Sequence, residues 1–211
     1  MKLFIEKGYL QTRMTDITRE ADVSVSTFQN IFRSKDGVLR DLAEAMFDNQ
    51  YALAREVVGQ DVSPSLVFAV ETCVQLTLTE LNENIREVYV ETYSQAKAAD
   101  FVYQRTAYVL HDLLGSYQPE CTVSDFYEME IGTAGIMRNY MARPCDAYFT
   151  LDRKLASYLK ICLRAYHLPE EEIAAIQAEI RKIDIVGVSE KVMQELFKRL
   201  SVQFNFHLSE A

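Results

Sequence analysis

The 211-residue chain is acidic, with 22 Lys and Arg against 31 Asp and Glu and a formal net charge of −9, and 49% of its residues are hydrophobic. Only 7 glycines and 4 prolines leave too few turns for a sandwich or a barrel and favour long helices. No apolar run reaches membrane-span length and the N-terminus has no signal-peptide pattern, so a cytoplasmic location without membrane attachment is expected. Cys73, Cys121, Cys145 and Cys162 are scattered without a CxxC pair, and His111, His167 and His207 stand alone. That spacing argues against a metal site or a metal cofactor and for reduced thiols.

In chain order, residues 2–7 read as the end of a helix stopped by Gly8, with Leu3 and Phe4 facing the core. Thr12 is placed to cap a helix carrying Met14, Ile17 and Ala21. "DVS" is a turn, after which Ser24 caps a short helix with Phe28, Ile31 and Phe32 behind it. Ser34 caps a longer helix from Lys35 to about Val58, with Leu39, Leu42, Ala43, Met46, Phe47, Tyr51 and Ala54 as its stripe. "GQDVSP" is the clearest break, with Ser63 as cap and Pro64 in the first helical position.

Helices follow over 64–81, 84–95 and 98–116. The next, 123–142, contains Gly132 and Gly135, which point to a close helix crossing. Leu151, Leu155, Tyr158, Leu159, Cys162, Leu163 and Tyr166 give the strongest periodic stripe. Pro169 and Glu170 to Glu172 open another helix, and Ser189 is the expected cap of a last one bearing Val192, Leu196, Phe197, Leu200 and Phe204. The fold class is all-α, divided at 1–45 and 46–211.

Residues 12–33 have the form of a helix-turn-helix. In such a unit the second helix enters the major groove with its N-terminal residues against base edges. It needs an apolar back and a short polar front. Phe28, Ile31 and Phe32 are the expected back; Val25, Ser26, Thr27, Gln29 and Asn30 are left for the front. Gln and Asn pair bidentately with adenine, Ser and Thr bond to any base, and a valine meets a thymine methyl. Thr12 and Lys35, with the helix start at Ser34, are candidates to hold phosphates, and the capping Ser24 is counted with the DNA-binding residues. The charge distribution agrees: residues 1–40 hold seven Lys and Arg against five Asp and Glu, so the excess acid lies beyond them. Periodicity alone leaves open a plain αα-hairpin with solvated polar faces.

The stretch "LFIEKGYLQTRMTDITREADVSVSTFQNIFRSKDGVL" resembles the DNA-binding domain of the TetR family of bacterial transcription regulators, from Leu3 to about Leu42. The resemblance rests on Leu3-Phe4, Gly8-Tyr9, Thr12, Asp16-Ile17, Ala21, Val23-Ser24, Thr27, Phe32, Ser34-Lys35 and Leu39 at ungapped spacing. Asp22 stands where the family usually has glycine, Gln29 replaces a phosphate-contacting tyrosine, and Val25 replaces a frequent lysine. The family's first helix begins earlier, behind a basic arm, whereas Met1 falls inside it here. The resemblance implies a ligand-responsive DNA-binding transcriptional regulator, a repressor released from a palindromic operator by a small molecule. It also implies a helical C-terminal domain that dimerises and encloses the effector.

For that domain, Tyr89, Tyr93, Tyr103, Tyr108, His111, Met137 and Tyr140 are the candidate ligand-binding residues, with Glu128 and Met129 beside them, because polar-tipped aromatics line pockets for flat ligands. The helices 123–142 and 151–166 are the expected homodimer interface. The implied partners are double-stranded DNA, an unidentified small-molecule effector and a second copy. One alternative keeps the fold but trades operator binding for a protein partner. Another is a helical enzyme using Glu128 and Glu130, or His111 with Asp112; residues so close on a helix do not converge, so no enzyme is expected.

Overall fold

The computed structural model describes residues 2–59 and 62–203, and the side chains of residues 45–50, 53, 196 and 199–203 stand outside that description. Phe204 and His207, and the side chains of Met46, Phe47, Leu196 and Leu200, therefore lie outside the described residues. The described residues contain helices and no strand. These are α1 (Lys2–Lys7), α2 (Met14–Glu20), α3 (Val25–Phe32), α4 (Lys35–Val58), α5 (Pro64–Leu81), α6 (Glu83–Thr92), α7 (Ala96–Leu114), α8 (Val123–Ala142), α9 (Leu151–Ala165), α10 (Glu170–Ile180) and α11 (Ile185–Gln203), with a 3-10 turn at Gly115–Tyr117. None is long and apolar enough to cross a membrane.

The N-terminal module is α1 to the start of α4. Gly8, at φ 86°, ends α1, a left-handed conformation that favours glycine. Thr12 is not the cap of α2. It is 1% exposed, and its hydroxyl donates to the carbonyls of Leu3 (3.1 Å) and Gly8 (2.7 Å). Arg13 takes the cap position instead, its N–H donating to Asp16 Oδ2 at 3.0 Å. Asp22 adopts φ 50°, the left-handed turn that its place in the sequence requires. Ser24 then caps α3, its hydroxyl accepting from the Thr27 N–H at 3.0 Å.

In the body, α5 is the central rod. Every residue from Val67 to Thr79 is buried, and α4, α6, α7, α8, α9, α10 and α11 all pack on it. A helix apolar all round is buried all round. Burying each of its larger aliphatic side chains contributes about 1.5–3 kcal/mol. Phe68 and Phe126 meet the Tyr166 ring at 5.7 Å edge-on and 6.1 Å stacked, joining α5, α8 and the end of α9. At the far end of α5, the fully buried Lys154 ammonium donates to Glu80 Oε1 and to the Arg143 carbonyl, both at 2.5 Å. Glu80 Oε2 takes the Cys145 N–H at 3.0 Å, which pins the loop between α8 and α9.

Two expectations for the body are corrected. The last helix begins at Ile185, and Ser189 sits inside it, its buried hydroxyl donating to the Ile185 carbonyl at 2.7 Å. Asp184 does the capping, accepting the Gly187 N–H at 3.0 Å. Gly132 and Gly135 make no close crossing within the chain, for a Cβ at either would meet nothing within 4 Å.

Candidate functional site

The outward face of α3 is the first candidate surface. Val25, Ser26, Thr27, Gln29 and Asn30 are all exposed, and Phe28, 2% exposed, seats the helix from behind. Phe32 supports it at a ring distance of 5.3 Å from Phe28. Ile31 is not part of that back: it is 65% exposed. Phe28 and Phe32 are one turn apart, and a short helix on a shallow seat buries only that stripe, leaving Ile31 to its side. The hydroxyl of Ser24 also bonds those of Ser26 (2.8 Å) and Thr27 (2.9 Å), so the three form one exposed hydroxyl cluster at the N-terminus of α3.

The phosphate-holding candidates divide. Thr12 faces inward, bound to two carbonyls, and holds α1 to the next turn rather than offering its hydroxyl outward. Lys35 is half-buried, its ammonium donating to the Tyr9 carbonyl at 3.0 Å and lying 4.0 Å from the Tyr9 ring centroid. Lys7, Arg13 and Arg33 are exposed and make no ion pair among the described residues, which leaves them to an anion. Asp16 is held below the usual carboxylate range by the Arg13 N–H, against a small opposing effect of burial, with Lys7, Arg19 and Arg13 adding to it.

Two connections tie this module to the body. The first is α4, continuous from Lys35 beside α3 to Tyr51 and Ala54 in the body. The second is α6, which grips the end of α1. Asn84 donates to the Ile5 carbonyl at 2.8 Å, and Glu87 Oε1 accepts the Leu10 N–H at 3.0 Å. The approach requires Gly8, where a Cβ would stand 2.3 Å from Glu87 Oε2. Tyr9, 3% exposed, donates its hydroxyl to Asp36 on α4 and so links the two connections.

The second candidate site lies inside the body; from the sequence Glu130 is considered only beside Glu128, and Glu71 is passed over. Glu71 on α5 and Glu130 on α8 are 2% and 5% exposed. Glu71 accepts from the Gln75 amide, but its Oε2 has no hydrogen-bond partner. Glu130 Oε2 accepts from Thr133 (3.0 Å) and Tyr166 (3.1 Å). Burial pushes Glu71 up to about 7 against the bond from Gln75. It pushes Glu130 up to about 8 against Thr133 and Tyr166, with the Glu71 charge adding to the rise. Both carboxylates act on the Tyr51 and Tyr93 hydroxyls, which burial already raises well above the ordinary phenol value.

Of the expected ligand residues, Tyr93 and Tyr103 belong to this neighbourhood, Glu130 acting on both. Tyr89 and Met137 are buried core. His111 packs edge-on against Phe126 at 5.6 Å, and Tyr140 against Phe149 and Tyr158, both at 5.9 Å. Tyr108 is 65% exposed and lines no interior, because the buried stripe of α7 runs through Val102, Thr106, Leu110 and Leu113 and leaves position 108 outside. Glu128 is exposed, as its two-residue offset from Glu130 requires. The signal for Glu71 was present in the sequence as one acidic residue within the apolar run Leu66–Leu78. Two surface clefts lie elsewhere, about 420 Å³ between α9, α10 and α11 and about 580 Å³ between the start of α4 and the start of α7.

Residues 1–42 match the family model described as bacterial regulatory proteins, tetR family. No curated protein and no solved structure matches the chain.

Proposed function

We propose that the chain is a DNA-binding transcriptional regulator of the kind its residues 1–42 match, a repressor released from a palindromic operator by a small molecule. The observation that carries the reading is the exposed run Val25 to Asn30 on a helix seated by Phe28. Gln29 and Asn30 read adenine, the Ser24–Ser26–Thr27 hydroxyls meet base edges or phosphates at the helix start, and Val25 meets a thymine methyl. Lys7, Arg13 and Arg33 neutralise phosphates, and Lys35 fixes the start of α4 beside them.

Two copies put two such helices into successive major grooves about 34–36 Å apart. The pair forms through α8 and α9, from residue 123 to 142 and from 151 to 166. Ile131 on α8 is 47% exposed and Ile161 on α9 is 43% exposed, and both glycines of α8 are open to a close neighbour, which supports that choice. The division into a reading module, residues 1–45, and an effector-binding and pairing body, residues 46–211, follows. An effector in the body favours a different separation of the modules, and operator affinity falls by the ratio of its affinities for the two arrangements. Helices α4 and α6 support this coupling, since each reaches the N-terminal module at one end and places a tyrosine near Glu71 and Glu130 at the other.

The test is a fluorescence-anisotropy titration on the DNA upstream of the protein's own gene. Sequence-specific binding is expected, with log K falling by about 0.9 per neutralised phosphate per decade of salt. Gln29→Ala and Asn30→Ala are each expected to cost about 1–3 kcal/mol of discrimination. Binding that is absent, or equal on scrambled DNA, overturns the reading. A second reading, a regulator of this family that acts through a protein partner with operator binding weak or lost, draws on Leu10 and Ile31, 62% and 65% exposed on the same module. It is the one retained if the titration fails while the protein stays folded and paired.

A further inference from the structure

We propose that the effector is an organic cation, its positive charge held between the carboxylates of Glu71 and Glu130 and its apolar part packed against the tyrosine rings around them. This deepens the effector reading above by naming the chemical class, and it stands on the interior of the body rather than on the DNA.

The starting point is an imbalance. Two carboxylates from different helices are buried in one neighbourhood, and no cation is among the groups acting on either from the described residues. Burying an uncompensated carboxylate is costly, and a purely structural pair of carboxyls would be expected to have every oxygen bonded. Glu71 Oε2 has no hydrogen-bond partner among the described residues. Burial disfavours both charges and raises both groups toward neutral pH, so without a cation protons are what offset the imbalance. A bound cation takes the place of those protons.

The surroundings suit such an occupant. Tyr51 from α4 and Tyr93 at the end of α6 are half-buried, and the charges of both Glu71 and Glu130 act on their hydroxyls, which burial already raises. Tyrosine faces attract cations, more strongly once water is excluded. The alternatives fit less well. An anion meets two carboxylates. A metal ion lacks a ligand set, since no group of three His, Cys, Asp or Glu among the described residues is placed to hold one.

The experiment uses the full chain and two cations, thioflavin T and the smaller benzyltrimethylammonium, with the neutral desmethyl benzothiazole analogue of thioflavin T as the uncharged control. Binding is read by equilibrium dialysis at pH 8. The expected result is at least tenfold tighter binding of thioflavin T than of its neutral analogue. That preference falls at least tenfold in Glu71→Gln and in Glu130→Gln, both of which keep the shape of the side chain and the helical circular dichroism of the parent. Equal affinity for the charged and neutral dyes, a preference that survives both substitutions, or binding of neither cation overturns the proposal. A second arm adds each cation to the protein–operator complex. Carboxylate-dependent binding that leaves operator affinity unchanged keeps the cation site and removes the release mechanism; a protein that fails to bind DNA but binds thioflavin T through Glu71 does the same.

Discussion

Replacing Glu71 by glutamine makes the protein more stable at alkaline pH and leaves it unchanged in acid. In the folded chain the carboxyl is pushed from 4.5 up to about 7 by burial, against the bond from Gln75. A tenfold change in proton affinity is worth about 1.4 kcal/mol, so the rise corresponds to about 3 kcal/mol of preference for the protonated form. Because the folded value lies above the unfolded one, that preference is fully present below pH 4.5. It is lost as pH climbs from 4.5 to 7, where the unfolded chain has ionised and the folded one has not, and the loss levels off above 7. Glutamine cannot ionise and escapes the loss. The groups that face Glu71 among the described residues are Cys73 and Gln75 on its own helix, Tyr51 on α4, Tyr93 at the end of α6 and Glu130 on α8. Glu130 titrates in both proteins, so the difference between them reports Glu71 together with its effect on Glu130. Removing the Glu71 charge also eases Glu130, which adds to the gain.

Urea unfolding at pH 4.5, 6, 7 and 8, at one protein concentration so that pairing is held constant, measures it. The two midpoints should coincide at pH 4.5 and separate by about 3 kcal/mol at pH 8, with the glutamine protein the more stable. A difference that does not change with pH, or a glutamine protein less stable at pH 8, refutes the reasoning.

Lys154→Met removes the fully buried one of Glu80's two cationic partners, the other being Arg86, and is expected to cost about 3–5 kcal/mol in thermal or urea unfolding, with only part of that restored when Glu80→Met is added, because Arg86 and the Cys145 N–H then lose their partner. A single substitution costing less than about 1 kcal/mol refutes the buried pair. Gly8→Ala forces a left-handed alanine and pushes Glu87 off the Leu10 N–H, so hydrogen exchange at the Leu10 amide should accelerate and stability fall by about 1–2 kcal/mol. Ile131→Asp together with Ile161→Asp is expected to yield a folded monomer by sedimentation that loses operator binding. A dimer that persists moves the pairing surface elsewhere.

Much of the fold was readable from local chemistry. Gly8, Asp22 and Ser24 each announced a backbone conformation that only a few side chains support, and each sits in it. The limits of α8, from residue 123 to 142, follow from the Thr122 start and the closing "ARP". What could not be read depends on which neighbour arrives. Ile31 is apolar, but the seat of α3 has room only for Phe28 and Phe32. Ser189 has the chemistry of a cap and was preceded by a better one, Asp184, whose carboxylate reaches Gly187. At the interior site the sequence pointed to the aromatics, and to Glu130 only as a partner of Glu128, while Glu71 was passed over. A lone glutamate in an apolar helix has no periodicity of its own, and only packing reveals that α8 carries a second one into the same interior. Tyr108 shows the converse, an aromatic side chain turned outward because α7 buries the opposite face.

The reading helix is hemmed in at both ends. Asp22 before it and Arg33 after it both hold positive φ, 50° and 61°, so α3 cannot lengthen in either direction without unmaking a turn. Its eight residues span only about 12 Å, the length of roughly three or four stacked base pairs. A word that short recurs throughout any genome. On the proposed reading, the address is therefore written chiefly in the interval between two such words, and the ruler that measures the interval is the body through which two copies would pair.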